Sequence, residues 1–156
     1  MKENRASKRF TAVIVALTAA MVLFAWIHSC FPASLSSQES EGILKIVYGA
    51  FQAFGLTLAQ ASYLIRKLAH FSEFFAIGAL LMSCAYCFDR LKPRRYGFRV
   101  LLGGLLAALI DETIQLGVEG RAGMVTDIWI DFAGVCCGAA LLLGCFTLHA
   151  KRKGWK

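Results

Sequence analysis

A chain of 156 residues that is 58% hydrophobic and 17% charged is too apolar for a soluble domain, where those shares are about 45–50% and about 25%; with a mean hydropathy of +0.59 it reads as an all-α integral membrane protein, one domain over 1–156. Its formal net charge of +7 does not point to nucleic acid, because the basic residues flank apolar runs instead of covering one polar face; the partner they imply is the lipid bilayer. The six cysteines do not make a disulfide framework, since Cys84, Cys87, Cys136, Cys137 and Cys145 lie inside apolar runs, where cysteine packs as a small apolar residue, and the Cys84-x-x-Cys87 pair is by itself a weak metal or redox signal.

Four apolar segments follow one another along the chain, and four transmembrane helices are expected from them. The first runs from about Phe10 to Phe31 and the second from about Ala69 to Phe88. The third is Val100 to Val118, and the fourth runs from about Val125 to Leu148. Each is long enough, at roughly 1.5 Å per residue, to approach or cover about 30 Å of hydrocarbon. Ile27-His28-Ser29-Cys30 resembles a lipoprotein-type cleavage site. The apolar run before it exceeds the usual signal core of about 7–15 residues, so the first span reads as an uncleaved anchor.

The basic residues orient the spans. Lys2, Arg5, Lys8 and Arg9 precede the first. Arg90, Lys92, Arg94, Arg95 and Arg99 join the second to the third, and Lys151, Arg152, Lys153 and Lys156 follow the fourth. The positive-inside rule then puts both termini in the cytoplasm. The segment from Pro32 to about Ala69 and the turn around Gly120 fall outside, with Lys45, Arg66, Lys67 and Arg121 as their basic residues. In that outer segment Ser34 to Glu41 is mostly polar, while Ile43, Leu44, Ile46, Val47, Phe51 and Phe54 recur at near-helical spacing. Gly42, Gly49 and Gly55 weaken any long helix there. The expected element is a short amphipathic helix, lying in the outer interface or packed as a cap over the bundle.

Ionisable residues interrupt the later spans. Lys67, His70 and Glu73 step by three and share a helix face. Asp111 and Gln115 step by four, Glu112 and Gln115 by three, and Asp127 and Asp131 by four. Counted from the cytoplasmic ends, Asp111 rises roughly 18 Å and Glu73 roughly 24 Å; Asp131 lies roughly 10 Å below the outer turn. All therefore converge in the outer half of the bilayer. A charged group at mid-bilayer costs about 2.5–3.5 kcal/mol on insertion scales, so each needs a partner. Glu73 or Asp111 is expected to pair with Arg66, Lys67 or Arg121, and Gln115, Thr113 and Thr126 are candidate donors. The candidate binding set is Arg66, Lys67, His70, Glu73, Asp111, Glu112, Gln115, Arg121, Asp127 and Asp131. His70, Glu73, Asp111, Asp127 and Asp131 are ligand types for Mn²⁺ or Zn²⁺, but no spacing matches a metal motif, so the sequence assigns no metal and no cofactor.

The run Arg66-Lys67-Leu68-Ala69-His70-Phe71-Ser72-Glu73 resembles the signature of the VanZ-like family. So do Asp111-Glu112-Thr113-Ile114-Gln115 and then Gly120-Arg121, Asp127, Asp131 and Gly134. Ser36-Ser37-Gln38 is similar to that family's motif after the first helix, and the likeness extends from about Ser36 to Gly138. The resemblance implies a small multi-pass protein of the bacterial cell membrane, related to a protein that raises resistance to the glycopeptide teicoplanin. It implies no established reaction.

Two functional classes follow from the outward convergence of charge. One is a pocket that binds an envelope head group: a lipid, a wall precursor or a lipoglycopeptide. The other is a membrane enzyme at the same place, with His70 as base, Glu73 as its orienter, and Asp111 and Glu112 as paired acids. Ser72 steps by two from His70 and faces elsewhere, which argues against a covalent mechanism. A buried polar network that only holds the bundle in register, or a helper subunit of an envelope complex, would use the same residues structurally. A transport path lacks matching ionisable residues in the cytoplasmic halves.

Overall fold

The structure, a computed structural model, describes residues 5–154; the side chains of residues 36–41 and 43 lie outside that description, and with them the Ser36-Ser37-Gln38 motif, as do Lys2 and Lys156. The described chain is all helix and turn: α1 Lys8–Ser29, α2 Ala33–Ala53, α3 Leu58–Phe88, a 3₁₀ turn at Pro93–Tyr96, α4 Gly97–Gln115 and α5 Val125–Arg152. Three of these helices, α1, α3 and α5, are long and apolar enough to cross a membrane. α4 is 19 residues long and carries Arg99, Asp111 and Glu112 within that length, which keeps it out of that set.

Contacts along the helices set their directions. His28 meets Glu73 and Thr18 meets Cys84, so α1 and α3 are antiparallel. Trp26 donates to the Ala107 carbonyl and Ser29 to Asp111, so α1 and α4 run together. Gly134 lies at Phe71, and Phe146 stacks on Tyr86; α3 and α5 also run together. Both described ends of the chain therefore sit at one end of the bundle, where the Ala6 N–H bonds the Cys87 carbonyl at 3.1 Å. At the other end the Ala33 N–H bonds the Glu119 carbonyl at 3.2 Å.

Glycine decides how closely α3, α4 and α5 approach. A Cβ on Gly138 would lie 2.0 Å from the Phe75 carbonyl oxygen, and one on Gly134 2.5 Å from that of Phe71. From the α3 side, a Cβ on Gly78 would lie 2.2 Å from the Val135 carbonyl oxygen, and one on Gly104 of α4 2.3 Å from Val135 Cγ1. Small residues of this kind let helices meet backbone to backbone where lipid removes the hydrophobic driving force for association. Around them Phe74, Ile77, Ala108 and Val135 are fully buried, while Phe98, Leu102, Leu106, Leu141 and Leu148 point outward.

The helix bounds correct the expected ones in three places. α3 begins at Leu58, eleven positions before the expected start, and its 31 residues span about 46 Å, more than the hydrocarbon thickness. Thr57 and Gln60 form a capping box at its start, a signature that hydropathy counting passes over. Arg66 and Lys67 are therefore helical residues, not part of a connection. α2 is 21 residues long, continuous through the polar run and through Gly42 and Gly49. Each glycine costs about 0.8–1.0 kcal/mol in a helix. Docking of Leu44 onto Ala61 and Ile65, with Val47, Tyr48 and Phe51 around them, offsets that cost, so α2 packs on the extended start of α3. α4 ends three residues early, because Leu116–Val118 turn back onto Glu112, Ile114 and Gln115 and the reversal passes through Gly120 at φ +72°.

All six cysteines are free thiols.

Candidate functional site

The close crossing of α3 and α5 puts His70 opposite Asp131, and α4 brings Asp111 alongside. One ligand-type atom from each of His70, Asp111 and Asp131 lies within 4.8 Å of the others. Asp131 is 0% exposed and Asp111 1%. His70 Nδ1 stands 3.8 Å from Asp131 Oδ1, too far for a hydrogen bond. Among the described residues, both Asp131 oxygens, Asp111 Oδ1 and His70 Nδ1 are buried with no hydrogen-bond partner. Native proteins rarely leave such groups unmet.

The other Asp111 oxygen is firmly held. Ser29 Oγ donates to Oδ2 at 2.8 Å and Gln115 Nε2 donates to the same atom at 3.0 Å. Gln115 lies one turn on from Asp111, which is why this bond was legible as a four-residue step. Ser29 comes from α1 and was not.

Above this floor opens a cavity of about 220 Å³, lined by Tyr63, Arg66, Lys67, His70, Gln115, Arg121 and Asp127 among others. Lys67 Nζ pairs with Asp127 Oδ1, and Thr126 Oγ1 donates to the same oxygen at 3.3 Å. Arg121 Nε donates to the Phe31 carbonyl at 3.0 Å, pinning the turn between α4 and α5 to the end of α1. Its Nη2 is buried without a partner among the described residues.

Four expected roles change. Neither Glu73 nor Asp111 pairs with Arg66, Lys67 or Arg121: Lys67 reaches Asp127, one turn before Asp131 on α5. Glu73 turns toward α1, where His28 Nδ1 lies 3.2 Å from its Oε1, so it does not line the cavity or orient His70. Glu112 holds the start of α5, accepting the Met124 N–H at 2.9 Å where a helix leaves its first N–H groups unmet. Thr113 Oγ1 returns to the Leu109 carbonyl at 2.6 Å and gives nothing to the carboxylates.

His28 and Ser29 are the site residues that sequence reasoning missed. Their signal was available. They are adjacent polar residues at the C-terminal end of a mostly apolar helix, level with Glu73 and Asp111, and ionisable groups within such a helix are functional by default.

The VanZ/LLP1 family model matches residues 11–147, a stretch that contains every residue of the floor and the cavity wall named above. No curated protein and no solved structure matches the chain.

Proposed function

The chain belongs to the VanZ/LLP1 family, and from that premise we propose that it is a multi-pass protein of the bacterial cell membrane whose outer cavity binds the anionic head group of an envelope molecule. The observation that carries this reading is the lining: Arg66, Lys67, His70 and Arg121 converge on one cavity in which, among the described residues, Asp127 is the sole acidic lining residue, with the buried Arg121 Nη2 left to donate. Arginine offers a planar fork of donors that matches phosphate and carboxylate oxygens. In this reading α4 is the fourth span, since Asp111, Glu112 and Gln115 face the bundle while Phe98, Leu102, Leu106, Leu109 and Ile110 face outward. The cationic Arg90–Arg99 connection and both termini are cytoplasmic by the positive-inside rule. The cavity then opens at the level of the outer head groups. A volume below the about 300–1,000 Å³ of drug-sized sites suits a head group and not a whole glycopeptide. The ligand is a phosphate-bearing lipid or lipid-linked wall precursor, and a contribution to glycopeptide resistance would come through that molecule.

Native mass spectrometry tests the reading directly. Protein released from vesicles of phosphatidylglycerol should retain lipid, and protein released from phosphatidylcholine of the same chain length should not. Arg66→Gln with Arg121→Gln should abolish the difference at unchanged folding. A double variant that retains phosphatidylglycerol as well as the parent would overturn the proposal. In cells, Arg121→Gln should reduce tolerance of a lipoglycopeptide at normal protein abundance.

A further inference from the structure

The floor beneath the cavity has a chemistry of its own. His70, Asp111 and Asp131 come from three different helices, so no sequence spacing could announce them as a group. Each presents a buried atom without a hydrogen-bond partner among the described residues, and ligand atoms from all three lie within 4.8 Å of one another. Asp131 offers both oxygens unmet at zero exposure. Lys67 pairs with Asp127, and Arg121 Nε bonds the Phe31 carbonyl; neither is bonded to a carboxylate of the trio. His70 itself stops at 3.8 Å from Asp131. A purely structural network would have closed these bonds, because a half-satisfied buried network is costly.

We propose that His70, Asp111 and Asp131 bind one divalent transition-metal ion of the zinc or manganese class, with an open coordination position facing the cavity. Two carboxylates and one neutral imidazole around a dication sum to zero charge, which suits a site as buried as Asp111 and Asp131. The mixed nitrogen and oxygen donors favour zinc or manganese over calcium or magnesium, which take oxygen ligands. Three protein ligands leave a further position for water or a ligand atom, the pattern of open and not closed zinc sites. His70 belongs both to the trio and to the cavity lining, so that position faces the cavity. Asp111 has the support expected of a ligand: Ser29 and Gln115 fix Oδ2 and leave Oδ1 for the ion, as outer-shell donors orient ligating carboxylates. The helices that carry the trio meet through Gly78, Gly104 and Gly134, so the three donors are placed before any ion arrives. The proposal does not depend on which head group the cavity takes.

The test uses the full-length protein in native-lipid discs, stripped with a chelator, loaded with Zn²⁺ or Mn²⁺ alone and desalted. Elemental analysis should find about one ion per chain. His70→Gln and Asp131→Asn should each lower that at least tenfold, and Glu119→Gln, on the exposed outer turn, should not. Parent protein holding less than a tenth of an ion, or both variants loading like the parent, would overturn the proposal. Loading with Co²⁺ keeps it testable even where the variants do not fold, because it needs only the parent. Weak visible bands of nitrogen and oxygen ligation, with no intense near-ultraviolet thiolate band, are expected. A thiolate band would assign the ion to the free cysteines and overturn the trio.

Discussion

Replacing Gly138 by alanine should loosen the whole site from a distance. A Cβ at Gly138 would stand 2.0 Å from the Phe75 carbonyl oxygen, 2.9 Å from its carbon and 2.9 Å from the Ala79 nitrogen. Real Cβ contacts do not fall below 3.0 Å, so α3 and α5 must part by about 1 Å along that line. The obstructing atoms are backbone and cannot rotate away. Overpacking costs about 1–3 kcal/mol, and a backbone obstruction belongs at the upper end. Alanine returns about 0.8–1.0 kcal/mol of helix propensity on the aqueous scale. The net loss is about 2 kcal/mol. Gly144 provides the comparison, on the same helix with nothing within 4 Å of its Cβ position. There the same substitution should stabilise by up to about 1 kcal/mol. Reversible unfolding in mixed micelles would measure both, and the two variants should differ by about 3 kcal/mol. If Gly138→Ala proved as stable as Gly144→Ala, the glycine contacts would not be what holds α3 against α5, and the placement of Asp131 against His70 would lose its cause.

Lys67→Gln or Asp127→Asn should each destabilise by about 3 kcal/mol, since one charge is left half-buried without its partner; the double variant should cost less than the sum by about 0.5–3 kcal/mol, and strict additivity in the same unfolding assay would mean that the pair is not coupled. His28→Ala should cost about 1–3 kcal/mol by stranding Glu73, and adding Glu73→Gln should recover part of that loss; no recovery in a thermal-shift series would show that His28 supports the bundle through other contacts. Single cysteines at Glu119 and Arg94, in a chain freed of its native cysteines, should label from outside and only after permeabilisation, respectively. Labelling of Arg94 from outside would reverse the sidedness of the cavity.

Composition and charge placement determined much of this protein without any structure. Apolar runs must be helices in a bilayer because every backbone group has to be satisfied internally, so the helices were legible, three of them long and apolar enough to cross a membrane. Contacts within one helix were legible too: Asp111 with Gln115 follows from a four-residue step. So was the convergence of Lys67, His70, Asp111, Gln115 and Asp127 near one end, which depends only on depth. Helix starts were less so, because α3 begins in a polar stretch where the Thr57–Gln60 capping box, and not hydropathy, marks the end. Partner choice was not legible at all. Depth places Glu73, Asp111, Asp127 and Asp131 at similar heights, but the rotation and spacing of the helices decide which side chains meet. Those were decided by Gly78, Gly104, Gly134 and Gly138, whose contacts are with residues far away in the chain. Rotation sends Glu73 to His28 and Lys67 to Asp127, and leaves His70, Asp111 and Asp131 facing one another. Spacing along a chain records which residues share a helix face; it does not record which faces of separate helices come together, and the unmet atoms of this trio exist only once they do.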